Sequence, residues 1–348
     1  MNELSNRLTK GITAVLLFCS VTAHVAAASA QSTGAPPLPM NNRTPFTLPF
    51  ISATAPDYTL APSRHQLSTH FDISSHSIIE SSGDSRIEID GETLRLALGW
   101  QYRPSDRWII KAELPLLFHS GGFLDSSIDR WHQLTSLPDG ERNRQPRNAL
   151  LFGFRDNSQL VLLNKQQSNV GDLQFSAALQ LSAPALTGQT AWRHNSWVQL
   201  GVKLPTGNRQ AFSGSGSTDF ALSVHHNRHQ ADSDNPWTIS ADAFALIAGN
   251  SDLIDGQNTF QWQVNIRAAK ALKRYPRLTP EVQLRYRSAT YDNPVNALGS
   301  DSLGIDVGAT IYQRQGYWKM GISEDLDVDS APDVTFYFQY NRRTGTDK

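Results

Sequence analysis

VGDLQFSAALQLSAPALTGQTAWRHNSWVQLGVKLPTG, residues Val170 to Gly207, decides the fold. In its first limb Leu173, Phe175, Ala177, Leu179 and Leu181 alternate with Gln174, Ser176, Ala178, Gln180 and Ser182. In the second, Val198, Leu200, Val202 and Leu204 alternate with Gln199, Gly201 and Lys203. Side chains alternate faces along an extended strand, so each limb is a β-strand with one apolar and one polar side. Each is about ten residues long, the length a tilted strand needs to cross a bilayer. A half-buried strand of a soluble protein shows the same alternation. Recurrence of the pattern to the end of the chain favours the membrane reading.

Outward from this hairpin, fourteen strands are expected. Before it come 64–74, 86–102, 107–118 and the weaker pair 149–155 and 159–164; after it come 219–228, 237–248, 259–271, 279–291, 302–313, 317–325 and 333–341. Without the weak pair the count is twelve. Tight turns near Pro104, Asp156 and Gln315 interleave with longer loops at 119–148, 205–218, 249–258 and 291–301. Outer-membrane barrels have this asymmetry of short periplasmic turns and long external loops. The fold class is therefore all-β, a transmembrane antiparallel barrel spanning 63–341, with a polar tail at 342–348. No helix of ordinary length interrupts the series, which argues against a parallel α/β fold. The last strand carries Val334, Phe336, Phe338 and Tyr340 on one face. It resembles the C-terminal signal read by barrel-assembly machinery, apart from the polar residues that follow it.

The start of the chain reads as an export signal. Arg7 and Lys10 precede the apolar run Ile12 to Val21, and Ala28-Ser29-Ala30 offers a cleavage point near Ala30. That run is too short for a membrane-spanning helix. Cys19 is the sole cysteine and falls in the signal, so disulfides and thiolate chemistry are excluded from the exported chain. Loss of Glu3, Arg7 and Lys10 takes 31 basic and 32 acidic residues to 29 and 31. That balance argues against a nucleic-acid partner. A mean hydropathy of −0.39 looks soluble, but only alternate residues of a membrane strand face lipid. Residues 31–62 hold seven prolines. Proline lacks the amide proton of a sheet ladder, so this segment is either a periplasmic leader or a plug inside the barrel.

Short motifs add a resemblance. Asn42-Arg43-Thr44-Pro45, Gly121-Gly122-Phe123-Leu124-Asp125, Trp131-His132 and Leu137-Pro138-Asp139-Gly140 occur in order. Gly171-Asp172, Leu204-Pro205-Thr206-Gly207 and Gly214-Ser215-Gly216 follow. Together they resemble a family of Gram-negative outer-membrane β-barrels, domain of unknown function 3187 (DUF3187). The resemblance implies fold and outer-membrane location, with lipid, lipopolysaccharide and the barrel-assembly machinery as partners, but no activity. The Gly-Asp and Leu-Pro-Thr-Gly pieces also resemble barrels linked to uptake of phenolic and other hydrophobic compounds.

Strand parity turns Arg95, Lys111, Glu113, Lys203, Arg267, Glu281, Arg285, Arg287, Asp306 and Lys319 toward the lumen. Such an interior suits a water-filled pore or a self-paired polar core. Its excess of cations points to anionic solutes. The insert 121–148 is the candidate gate: Gly121 and Gly122 form a hinge, and Phe123, Leu124, Asp125, Ile128, Trp131 and His132 begin a short amphipathic helix. The bland alternative is a loop that caps the barrel end. His225, His226 and His229 lack a metal-ligand pattern, since neighbours on a strand face opposite ways. The turn Asp232-Ser233-Asp234-Asn235 lacks the rest of a calcium loop. His65, His70, His194 and Ser196 are the only hydrolase candidates, without a Gly-x-Ser-x-Gly elbow. Gly214-Ser215-Gly216-Ser217 is not a phosphate loop, for no Lys follows it. No metal or cofactor is expected. The reading is a porin-like passive pore or uptake route for small hydrophobic, amphipathic or anionic solutes, and not an enzyme. Its rivals are a closed structural or surface-interaction barrel, a lipid-modifying barrel enzyme and a secreted β-sandwich.

Overall fold

The computed structural model describes residues 34–344 except 53, 125–145, 147, 188–191, 231–234, 252 and 327–330. The export signal and Asp125, Ile128, Trp131 and His132 of the insert lie outside the described residues. Before the long insert stand β1 (Arg64–Ser82), β2 (Ser85–Arg103) and β3 (Trp108–Ser120). Three short strands follow, β4 (Leu151–Arg155), β5 (Leu160–Leu163) and β6 (Gln167–Val170). The opening hairpin is β7 (Leu173–Thr187) and β8 (Trp192–Leu204). Then come β9 (Asp219–Gln230), β10 (Trp237–Ile247), β11 (Phe260–Lys270), β12 (Leu278–Arg287), β13 (Ser302–Gln313), β14 (Gly316–Asp325) and β15 (Val334–Thr344).

Twelve of these close a transmembrane antiparallel barrel. Each pairs with its neighbour in sequence, with β3 passing directly to β7, and β15 returns to β1 from His65↔Thr344 to Ser75↔Val334. The larger count of fourteen is thus reduced to twelve. The weak pair does form, as the β4–β5 hairpin, but it adds to β2 at Arg86–Asp90, beyond the wall. There β3 has already left β2, which it accompanies only from Tyr102 to Glu92. The sequence pattern gives no sign of β6, which extends the far end of β3. The strand at the C-terminus runs on through Arg342, Arg343 and Thr344, so part of the expected polar tail belongs to the wall.

Alternation sorts the wall as its sequence pattern demands. Leu98, Trp100, Phe175, Leu200, Ile266 and Val307 point out and are exposed, Leu200 by 65%. Aromatic side chains cluster toward the strand ends, where rings with one polar edge suit a membrane boundary. The Trp318 ring lies tilted 4.2 Å from that of Tyr340 and 4.8 Å from that of Phe338; His65 stacks 4.3 Å from Tyr102. One end carries short turns such as 104–107 and 314–315; the other carries loops 205–218, 248–259 and 288–301. The exception, the tight turn at Gly83-Asp84, joins two 19-residue strands that project beyond their neighbours at the long-loop end.

The interior is not empty. Residues 34–62 enter at the short-turn end, rise to the long-loop end and return to join β1. Ala35, Leu38, Met40, Phe46, Phe50, Tyr58 and Leu60 are all buried. Phe46 and Phe50 form an apolar cap with Ile87, Phe152, Phe212 and Tyr291 beneath the loops. Lower down, Leu38 and Met40 lie against Tyr337. The Gly308↔Gly321 pair makes room for that tyrosine, since a Cβ on either would fall within 2.4 Å of its hydroxyl.

Arginine at Leu200 should cost about 2–4 kcal/mol of folding stability in lipid vesicles, the penalty for a charge on the lipid face near mid-bilayer. A denaturant titration measures it; an unchanged midpoint would place Leu200 away from lipid.

Candidate functional site

Ten ionisable residues expected in the lumen all lie on its inner wall, where the structure gathers them into separate groups. Arg95 reaches Asp72 at 3.3 Å and also Glu113, which Lys111 approaches at 3.4 Å. Arg267 and Lys319 share Glu281, at 2.8 and 2.6 Å. Arg285 meets Asp306 at 3.3 Å, and Arg287 donates to Gln261 at 2.7 Å. Lys203, with no exposed surface, lies 2.6 Å from Asp172 and 3.2 Å from Asp219 and also donates to Ser215. A buried charge without a partner is costly, and this wall supplies partners.

The expected surplus of cations is offset by acids that parity reading left out. Asp57, Asp72, Asp172, Asp219 and Asp242 are all buried inside. Asp57 and Asp172 sit outside the strands, on the N-terminal segment and just before β7, where no alternation marks them. Asp72 and Asp219 do fall on inward positions; continuing the parity of β1 and β9 would have found them.

These same groups hold the N-terminal segment, mostly by its backbone. Arg267 donates to the carbonyls of Ala35 and Pro36 at 2.9 and 2.8 Å, and to the Tyr58 hydroxyl at 2.9 Å. Arg43 pairs with Asp72 at 3.0 Å. At the tip, the Tyr291 hydroxyl donates to Phe46 O at 3.0 Å, and burial raises the Tyr291 phenol above its ordinary pKa. On the descending limb, Ile51 N donates to Asp219 at 2.9 Å and Ser52 N to Gln174 at 3.1 Å. Lys111 donates to Thr54 Oγ1 at 2.6 Å and Gln199 Nε2 to Thr54 O at 3.3 Å. Asp57 accepts from Tyr317 at 2.8 Å and Arg343 at 3.0 Å. Arg103 closes the series on the carbonyls of Tyr58 and Leu60 at 3.3 and 2.8 Å.

The motifs Gly171-Asp172, Leu-Pro-Thr-Gly and Gly-Ser-Gly converge on one of these groups. Asp172 accepts from Gly207 N at 2.7 Å and Ser215 N at 3.1 Å while bound to Lys203. Loop 205–218 is thereby tied to the wall, and through Asp219 to Ile51 of the inner segment.

Of the expected gate, Gly121 to Leu124 are described. Gly122 has φ +77°, and a Cβ there would overlap Glu92. Glu92 in turn accepts from the backbone of Phe123 and Leu124. Phe123 is 71% exposed, while Glu92 holds its backbone. The lumen is filled by residues 34–62. The described loops show one 3-10 turn, Arg209–Ala211, and a single helical turn, Asn296–Gly299; the expected helix of the insert falls outside the described residues.

Of the remaining polar candidates, Ser196 and His194 come together around His226, and the others lie apart. His225 faces inward on Asp242 at 2.8 Å, while His226 Nδ1, on the outer face, lies 2.9 Å from Ser196 Oγ. His229 meets Thr238 at 3.1 Å. His70 lies inside against Asp72, and His65 outside against Tyr102. His194 has its ring 5.6 Å from that of His226.

Beside the inner segment a narrow crevice remains, with a cavity volume of about 30 Å³ and a mouth open to solvent. Its wall side is Lys111, Glu113, Gln174 and Gln199; its other side is Ile51, Ser52 and Thr54. A second crevice, bordered by Arg43, Arg95 and Asp172, shares Ser52 and Gln174 with it.

The sequence matches the family described as "Protein of unknown function (DUF3187)" over residues 13–344. No curated protein matches it. Among solved structures, the COG4313 outer membrane channel from Pseudomonas putida F1 is 14% identical with a TM-score of 0.51, over 82% of this chain and 97% of that one. KdgM porin is 6% identical with a TM-score of 0.35, over 81% and 99%. OpdK of Pseudomonas aeruginosa with vanillate is 7% identical with a TM-score of 0.31, over 81% and 97%. The first shares the barrel fold with this chain.

Replacing Lys203 by Met leaves the buried acids Asp172 and Asp219 without their shared cation. It should destabilise the barrel by about 3–5 kcal/mol, read by denaturant unfolding in detergent through heat-modifiable gel migration. An unaltered midpoint would remove Lys203 as the anchor of loop 205–218.

Proposed function

The chain belongs to the DUF3187 family, and we propose that it is an outer-membrane channel whose conduit is occupied by its own N-terminal segment. On this reading the signal is cleaved near Ala30, the short-turn end faces the periplasm and the long loops face outward. The chain acts as an uptake route for small or amphipathic solutes and not as an enzyme. One observation carries it: residues 34–62 line up with no strand of the wall. They are held by side chains reaching across the lumen, with crevices left between the two. A segment attached in this way can shift without breaking the sheet. The fold shared with an outer-membrane channel supports the same reading. The expected partners are outer-membrane lipid, lipopolysaccharide and the barrel-assembly machinery.

A closed structural barrel is the second reading, favoured by the apolar cap around Phe46 and Phe50. A removable crosslink separates the two. A Cβ on Gly34 would lie 3.7 Å from that of His229 on β9, within disulfide geometry, and the exported chain brings no other cysteine. The double variant Gly34→Cys/His229→Cys should conduct less in planar bilayers when oxidised than when reduced. Deletion of residues 34–62 should conduct more than either. Equal, negligible conductance in the oxidised, reduced and deleted forms, each folded by gel migration, would establish the closed barrel.

A further inference from the structure

The crevice beside Thr54 has a polarity that the rest of the lumen lacks. Elsewhere the inward cations, apart from Arg287 on Gln261, bond carboxylates or plug carbonyls within buried groups. Lys111 is only partly buried, uses one donor on Thr54 Oγ1 and stands 3.4 Å from a Glu113 already engaged by Arg95. Gln199 is nine-tenths buried and donates to Thr54 O, yet its Oε1 has no hydrogen-bond partner among the described residues. A buried acceptor left unmatched costs about 1–3 kcal/mol, so this atom favours any donor that enters. The neighbouring surface is apolar, built from Ile51, Phe244 and Ala221.

We propose that this crevice binds a small hydroxycarboxylate with an apolar chain, held by Lys111 and Gln199 in place of Thr54. As the solute of the channel proposed above, it rests on that reading. Thr54 shows how the fit arises. Its hydroxyl and carbonyl oxygens, close together on one residue, already occupy the Lys111 and Gln199 donors. A carboxylate presents the same two acceptors with a full negative charge, and charge-assisted hydrogen bonds are the stronger ones. A hydroxyl one or two carbons along then donates to Gln199 Oε1, while the alkyl chain lies on Ile51 and Phe244. A cationic solute meets Lys111 and is rejected. Because ligand and Thr54 compete for the same donors, occupancy favours displacement of the inner segment, and looser attachment favours occupancy in return.

The test is calorimetric titration of the full exported chain in detergent with 3-hydroxyhexanoate, hexanoate and hexylamine. The wild type should prefer 3-hydroxyhexanoate to hexanoate and take up no hexylamine. Lys111→Gln should weaken both acids about tenfold, as expected for loss of a charged hydrogen bond. Gln199→Leu should erase the preference for the hydroxyl. Thr54→Ala, which removes a competitor, should bind more tightly than wild type, an effect that a merely structural threonine would not produce. No binding of either acid by wild type and Thr54→Ala, or affinities unmoved in Lys111→Gln, would overturn the site. Binding is read here without passage. A chain that binds but never conducts defeats the channel and keeps the site; one that conducts without binding defeats the site alone.

Discussion

An irregular, proline-rich backbone lies at membrane depth, and every polar group it carries must be satisfied without a sheet ladder. Residues 34–62 cannot pair as a strand, because their prolines lack amide protons. Lipid would tolerate no such segment; only the inside of a protein can. The barrel meets the demand with side chains. Arg267 and Arg103 cover carbonyls at the two ends of the segment, and Gln101, Gln174, Gln199 and Asp219 serve it between. The Gln-rich, charged inner face is therefore fitted to a backbone as much as to water.

This accounts for the distribution of charge. Arginine, with its forked set of donors, can hold a carboxylate and a carbonyl together. Arg267 does so with Glu281 on one side and Ala35 and Pro36 on the other. Lysine, a compact point charge, is used where several oxygens converge, as at Lys203 and Lys319. Where neither demand is met in full, at Lys111 and Gln199, capacity for a ligand is left over.

The barrel itself was legible because lipid imposes a strict period of two on each strand, and the inward lysines and arginines followed from the same parity. The β4–β5 pair was legible as strands but not as an appendage, since its alternation is the same inside or outside the wall. Three things were beyond the pattern. β6 is four residues long, too short for a period to show. Residues 34–62 have no period, so leader and plug read alike, and Arg43 stood out only as part of a motif. The hold on the Phe123 backbone comes from Glu92, thirty-one residues away, which local hydrophobicity does not register.

The clamp on Asp57 has a consequence for the order of assembly. It joins Gln101 of β2 to Tyr317 and Arg343 of β14 and β15, so it is complete only when the last strand has met the first. That seam unites residues more than 250 positions apart, the kind of pairing that comes late because so much chain must first be gathered. The inner segment and the seam are thus each other's template. An unoccupied barrel would zip shut around an Arg343 that keeps Gln66 but lacks its carboxylate, and an unzipped one would leave Asp57 without its cation.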